Sequence, residues 1–430
     1  MRDALLVAWV ALLMATRFDL LGGEGPLVLT PFLVLAPIIV AVELIRSWTQ
    51  LESFELPPGT AGFFLSITAL FTVLLGSTLL SYELDVSAPR LALLVVQGYI
   101  VLVIGLVLVN RPAPGDLLLR GAYLGLGLVA LLDVLQLYVF VADPLWASTA
   151  AVIVDLEPDT YFGVVPRLTG LSHDPNLGGL FTVFFVWVVA TLGRPSRTRR
   201  VFLVIGTLAV VATLSRSALL AGLIIWIATR LMGRRSVRLT PVALGMATLL
   251  VFTLAGSYFA APRMVEPVED LGSLLSNRLS PDEGSSSDHA LLLARGLEVA
   301  TDNLKHLFIG IGYGNAHFET QDIFPGNEHG NFHSLFLTFL VEGGVFALGL
   351  GVWLFVQAFR YGEGVRPLLA GLVAFNLFQQ AHTEPLLWLC LMMAWVGGWT
   401  TDWSARSFAG LGTASVPLPG DFNPAAGTER

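Results

Sequence analysis

The chain has 430 residues, of which 55% are hydrophobic and 13% charged, with a mean hydropathy of +0.73. A soluble domain carries about 25% charged residues, so a globular fold in water is excluded and a polytopic membrane protein is expected. One cysteine, Cys390, excludes a disulfide framework or a thiolate metal cluster within one chain. The net charge of -8 matters less than how the arginines are shared among loops.

A helix needs about 20 apolar residues to cross a bilayer. The apolar runs give about twelve spans, near 4–16, 26–45, 60–80, 91–109, 117–142, 177–192, 201–214, 217–232, 241–261, 334–359, 367–381 and 385–401. The expected fold class is therefore an all-α integral membrane protein. The first run is short enough to resemble a signal peptide. Asp3 ahead of it and the lack of a small-residue cleavage pattern argue for a retained span.

Cytoplasmic loops carry the excess of positive charge. Arg194, Arg197, Arg199 and Arg200 fill one loop and Arg230, Arg234, Arg235 and Arg238 border another. Placing both inside puts the N-terminus inside as well, together with Arg46, Arg111, Arg120, Arg360 and Arg366. The expected membrane domain is 1–403, and the Gly-, Pro- and Ala-rich stretch 404–430 is expected to be a disordered cytoplasmic tail.

The outward face then holds a loop near 143–170, a large loop over 262–333, a tight turn at Ser215-Arg216, and the connection His382-Thr383-Glu384. Charges on this face run against the positive-inside rule, so they point to function. Arg216 lies in ATLSRSALLAGL, with its head near the outer surface; the plain alternative is a snorkelling arginine. Arg295 lies on an expected helix that Asp288 can cap. Leu293, Leu297, Ala300 and Leu304 make an apolar stripe on it and Arg295, Glu298, Asp302 and Lys305 another face, the pattern of a helix lying on a membrane. Its alternative role is an ion pair with Glu298 at i+3.

His333 stands where the large loop enters the tenth span, in HGNFHSLFLTFLVEGG, and a neutral histidine there can accept a proton. His329 lies four residues earlier, but Gly330 and Asn331 between them disfavour a helix, so no metal site is expected. Upstream, RLTGLSHDPNLGG sets Asp174 and Asn176 around Pro175 just before the sixth span, which is also a plain turn and helix-start signal.

Four segments together resemble the O-antigen ligase and O-antigen polymerase superfamily, polytopic glycosyltransferases of the GT-C type. They are His173 to Asn176, Ser215 to Ala218, the arginine-bearing helix leading to Gly310-Ile311-Gly312-Tyr313-Gly314, and His333 to Gly344, in the order the family has them. The resemblance implies transfer of a glycan from undecaprenyl diphosphate to an acceptor hydroxyl at the periplasmic face of the bacterial inner membrane, without metal or other cofactor. It implies that Arg216 and Arg295 hold the donor's diphosphate and that His333 is the essential histidine. Ser215, His173, Asp174, Asn176, Gly312 and His329 are the remaining residues expected to bind substrate.

The chemistry is compatible. Arginine offers permanent charge and forked donors to phosphate oxygens. A histidine base contributes roughly 10²- to 10⁴-fold, and direct attack inverts the anomeric centre. One dominant outward loop favours a ligase joining O-antigen to lipid A core; the rivals are a polymerase extending the glycan and an oligosaccharyltransferase acting on protein. A small-solute transporter is the reading from another class. It would need internal repeats and polar residues inside the spans, and only a few residues such as Asp133, Gln136 and Asn376 are of that kind.

Overall fold

The computed structural model describes residues 2–18, 20, 29–50, 56–142, 159–161, 165–232, 284–323 and 330–396. The ninth expected span, residues 262–283 of the large loop, Arg234, Arg235, Arg238, His329 and the tail 404–430 lie outside the described residues. The described chain is mostly helical. In order come α1 (Arg2–Ala11), α2 (Pro31–Gln50), α3 (Thr60–Leu79), α4 (Leu84–Val109) and α5 (Pro114–Ala142). A small antiparallel hairpin follows, β1 (Asp159–Tyr161) with β2 (Val165–Arg167), in register Asp159 to Arg167. The chain continues as α6 (Pro175–Leu192), α7 (Arg197–Ala212), α8 (Arg216–Met232), α9 (Gly284–Thr301), α10 (Leu304–Phe308), α11 (Ala316–Glu319), α12 (Leu335–Tyr361), α13 (Arg366–Phe378) and α14 (Pro385–Trp395).

Among the described residues, five helices are long and apolar enough to cross a membrane: α3, α4, α5, α6 and α12. The protein is a multi-pass membrane protein. Helices pack where glycine lets backbones approach, as at Gly121 against Val10, Gly105 against Met392, and Gly371 against Ile225.

The two ends of the bundle differ in chemistry. At one, Arg2 and Arg111 both pair with Glu43, the former at 2.9 Å. Arg199 donates to the last carbonyls of α6, at 2.7 Å for Ala190, and Arg366 to Phe359 of α12 at 2.8 Å. Arginines there cap helix C-termini, where the dipole favours cations. At the other end helices begin. Asp174, Ser215, Ser334 and Glu384 precede α6, α8, α12 and α14, so the positive ends of four dipoles face the same way among the described residues.

The large loop departs from expectation in two respects. The helix bearing Arg295 starts at Gly284, so Asp288 lies inside it instead of capping it. It stops at Thr301, and Asn303 caps a new short helix by accepting from the His306 N–H at 2.9 Å. The stripe through Leu297 and Leu304 assumed one continuous helix. Instead Leu292, Gly296, Val299 and Ala300 turn inward, while Leu297 and Leu304 are exposed.

That inward face builds a second core, separate from the main bundle: Val299, Ala300, Ile311, Ala316, Phe332, Leu337 and Val341. The first turns of α12 belong to it. Gly344, at φ 71, breaks that helix, and the glycine turn after α10 docks into the break. The Ile311 N–H donates to Val341 O at 2.9 Å and the Gly312 N–H to Glu342 O at 3.2 Å. Carbonyls freed by the break thereby keep partners, as buried backbone requires.

Candidate active site

His333 occupies the turn between the loop core and α12. Its φ of 50 is unusual for a residue with a side chain. Asn331 fixes the turn, its side-chain oxygen accepting from the His333 N–H at 2.8 Å. Ser334 then caps α12 by accepting from the Leu337 N–H. The imidazole Nδ1 lies 3.3 Å from Gln379 Oε1, just past the end of α13. Burial holds the imidazole below the ordinary histidine value, with the Gln379 hydrogen bond and the Asp174 carboxylate pulling the other way. His333 is therefore neutral near pH 7, in the protonation state of a base.

Asp174 is the N-cap of α6. It is half-buried and accepts from the N–H groups of Asn176 and Leu177 at 2.6 and 2.9 Å. Asn176 Oδ1 accepts from Arg167 at 3.3 Å. His173 is exposed beside Thr16, Nδ1 to Oγ1 at 3.2 Å. The whole turn is clamped by a buried polar network: Arg17 donates to Thr169, Thr169 to Gln136 at 3.1 Å, and Gly170 to Asp133 at 3.1 Å. Asp133 and Gln136, the polar residues inside a span, serve this clamp.

Arg216 is the first residue of α8 and is exposed. Ser215 before it is buried, and its Oγ accepts from the Ala218 N–H at 3.2 Å. Where Gly179 meets Ala218, Thr213 and Ser215, the starts of α6 and α8 touch. Gly371 of α13 meets Ala221 and Ile225. At 1.5 Å of rise per residue, that contact sets Arg216 level with the end of α13, the Gln379 side of His333, within about one turn.

Arg295 stands on α9, its side chain held by acids of α9 and α11. The following residue, Gly296, packs against Phe332 and Leu337, which flank His333. The guanidinium binds Glu298 at 3.0 Å and Glu319 twice, through its backbone oxygen at 3.1 Å and its carboxylate at 3.4 Å. These acids hold its pKa above the ordinary arginine value, with Glu298 the main cause. The i+3 pair is thus present, extended by Glu319 from α11. Gly312 is buried, a side chain at its position colliding with Ser81, so it shapes the turn from within.

Several residues here had no place in the sequence-based site. Glu384, 4% exposed, stands at the N-cap position of α14 without a side-chain capping bond; burial and the Asp174 charge raise its carboxyl to about 8. His382, 2% exposed, sits edge-on to Tyr313 and Phe339 and is pushed down to about 4 by burial. Glu342 accepts from the Ala316 N–H at 3.2 Å, and Arg90 donates to Gly314 O, so both hold the glycine turn. In the sequence His382 and Glu384 stand out as polar residues on the face expected to be outward, and Glu342 as a lone acid in an apolar run.

A neutral imidazole on a strained turn has the Asp174 carboxylate acting on it, and Asp174 acts in turn on Glu384; Arg216 begins α8 at the same end, where helix dipoles point their positive poles, and Arg295 is carried on α9. Such an end attracts anions. Compared with known proteins, residues 201–352 match the family model for O-antigen ligase. The match holds Arg216, Arg295, Gly312 and His333, while Asp174, Gln379 and Glu384 lie beyond it. It supports membership of the O-antigen ligase and polymerase superfamily. No curated protein matches the chain.

Proposed function

We propose that this chain, whose residues 201–352 match the family model for O-antigen ligase, moves a glycan from undecaprenyl diphosphate to an acceptor hydroxyl at the outer face of the inner membrane. The acceptor we favour is lipid A core, which makes the protein an O-antigen ligase. The observation that carries the reading is His333, a neutral imidazole fixed at a helix start by Gln379 and facing the Asp174 charge.

In the step proposed, the acceptor oxygen attacks the anomeric carbon while His333 takes its proton. The anomeric bond to the diphosphate breaks, and its electron pair leaves with the phosphate oxygen. Negative charge grows at the end of the bundle where α6, α8, α12 and α14 begin, and where Arg216 is exposed. In a site shielded from water such fixed donors stabilise developing charge strongly. Arg295 exchanges Glu298 and Glu319 for phosphate oxygens as the donor arrives. The imidazolium that forms has Asp174 as its counter-charge.

The test uses purified protein in detergent with an undecaprenyl-diphosphate-linked glycan, with and without lipid A core. Gel and mass analysis follow the glycan. Glycan joined to lipid A core supports the ligase. Growth of the glycan on its lipid carrier alone makes the protein a polymerase, and transfer to neither overturns the reading.

A further inference from the structure

We propose that Gln379 is the positioning residue that selects the tautomer of His333. The inference rests on His333 being the base of the reading above, and the geometry adds what that reading lacks. A side-chain amide oxygen can only accept, so the 3.3 Å contact between Gln379 Oε1 and His333 Nδ1 requires the proton on Nδ1. The neutral ring then carries its lone pair on Nε2, the nitrogen pointing away from α13. A base works only from the nitrogen that bears the lone pair, and the partner of the other nitrogen decides which one that is.

The surroundings show that this contact is built. Gln379 is extended at the end of α13 (φ -149, ψ 174), and its backbone oxygen accepts from the Leu335 N–H at 3.1 Å. One residue therefore grips both the ring of His333 and the first turn of α12. Next to it, Gln380 accepts from Thr338 at 2.9 Å, bracing the same turn. His333 itself stands at φ 50, a backbone setting that persists only where neighbours hold it. Asn331 accepts from its N–H, which sets the backbone, and Gln379 meets the ring at Nδ1. Among the described residues, the charge that acts on the ring is the Asp174 carboxylate ahead of α6, and Asp174 acts in turn on Glu384 ahead of α14.

The experiment combines ¹⁵N-histidine NMR of the full chain in detergent with the pH profile of transfer. The nitrogen shifts report the tautomer whether or not the protein is active, and His333→Gln assigns the signal among the seven histidines. Wild type is expected to hold His333 in the Nδ1–H form. Gln379→Leu keeps the backbone bond to Leu335 and is expected to release the ring to mixed tautomers and cut kcat by about 10- to 100-fold with little change in KM. Gln379→Glu keeps an acceptor and adds charge. It is expected to retain the Nδ1–H form and move the acid limb of kcat/KM to higher pH. Gln380→Leu, which spares the ring contact, is expected to leave the tautomer as in wild type.

An Nε2–H signal in wild type, or an unchanged tautomer in Gln379→Leu, overturns the proposal. Absence of glycan transfer in wild type overturns the functional reading instead and leaves the tautomer result standing.

Discussion

The Phe308 carbonyl fills the space that a side chain at Gly344 would need: a Cβ there would lie 2.2 Å from the oxygen. The contact is backbone on both sides, so neither partner can swing aside. Gly344→Ala also forces φ 71 on a residue with a side chain, costing about 1–3 kcal/mol before the collision is counted. Thermal unfolding in detergent is expected to show a lower midpoint than wild type. An equal midpoint would mean that the glycine turn does not dock at the break.

His333→Ala is expected to abolish transfer while the protein still accumulates in the membrane. Because burial lowers the pKa of His333, the base is neutral above that value and is lost as pH falls through it. The acid limb of kcat/KM should therefore lie below about 6.5, the ordinary histidine value. Asp174 pulls the other way, so Asp174→Asn, which keeps a capping side chain, should move the limb lower still. A limb that stays in place would separate Asp174 from the base.

Arg216→Ala and Arg295→Ala are each expected to remove transfer. Arg295 also ties α9 to α11 through the Glu319 backbone, so its loss mixes charge with structure. Glu319→Gln separates the two, since the backbone tie remains and one of the two competing carboxylates is gone while Glu298 stays. Donor KM is expected to fall in that variant. A rise would assign Glu319 to holding Arg295 ready.

Glu384 gives stability its own pH dependence. Its folded pKa of about 8 exceeds the ordinary value of about 4.3, so the folded state binds the proton more tightly. That stabilisation is complete below the unfolded value and is lost as pH rises through about 8. Melting temperature should fall between these limits in wild type and be flatter in Glu384→Gln. Equal slopes would place the sensitive group elsewhere.

Activity is expected to survive EDTA. Loss that Mg²⁺ restores would replace the proposed chemistry with a metal-assisted one.

Long apolar helices were legible in the sequence because each is locally determined: α3 spans Thr60–Leu79 where the apolar run predicts 60–80. The positions of Arg216 and His333 at the edges of spans were legible too, since they fall at the starts of α8 and α12 where the apolar runs begin. The face that α9 buries was not. A 3.6-residue period fits two adjacent stripes almost equally, and what chose Gly296 was the bulk of Phe332 and Leu337 opposite it. Gln379 was missed for a related reason, and Glu384, placed on the outward face with His382, had no assigned role. Alone, each is a polar residue between two apolar runs, and their meaning comes from α12 and α6 folding against them.

The break at Gly344 marks where the small core ends along α12, although Leu335 and Phe339 of the same turns also pack into the main core. Arg295 and His333 ride with the small core of α9 to α11 and the first turns of α12, whereas Asp174 and Arg216 belong to helices of the main bundle. A chimaera with a related chain should carry 284–343 as one cassette. A junction at 333 would split the small core from the helix turns it is packed on.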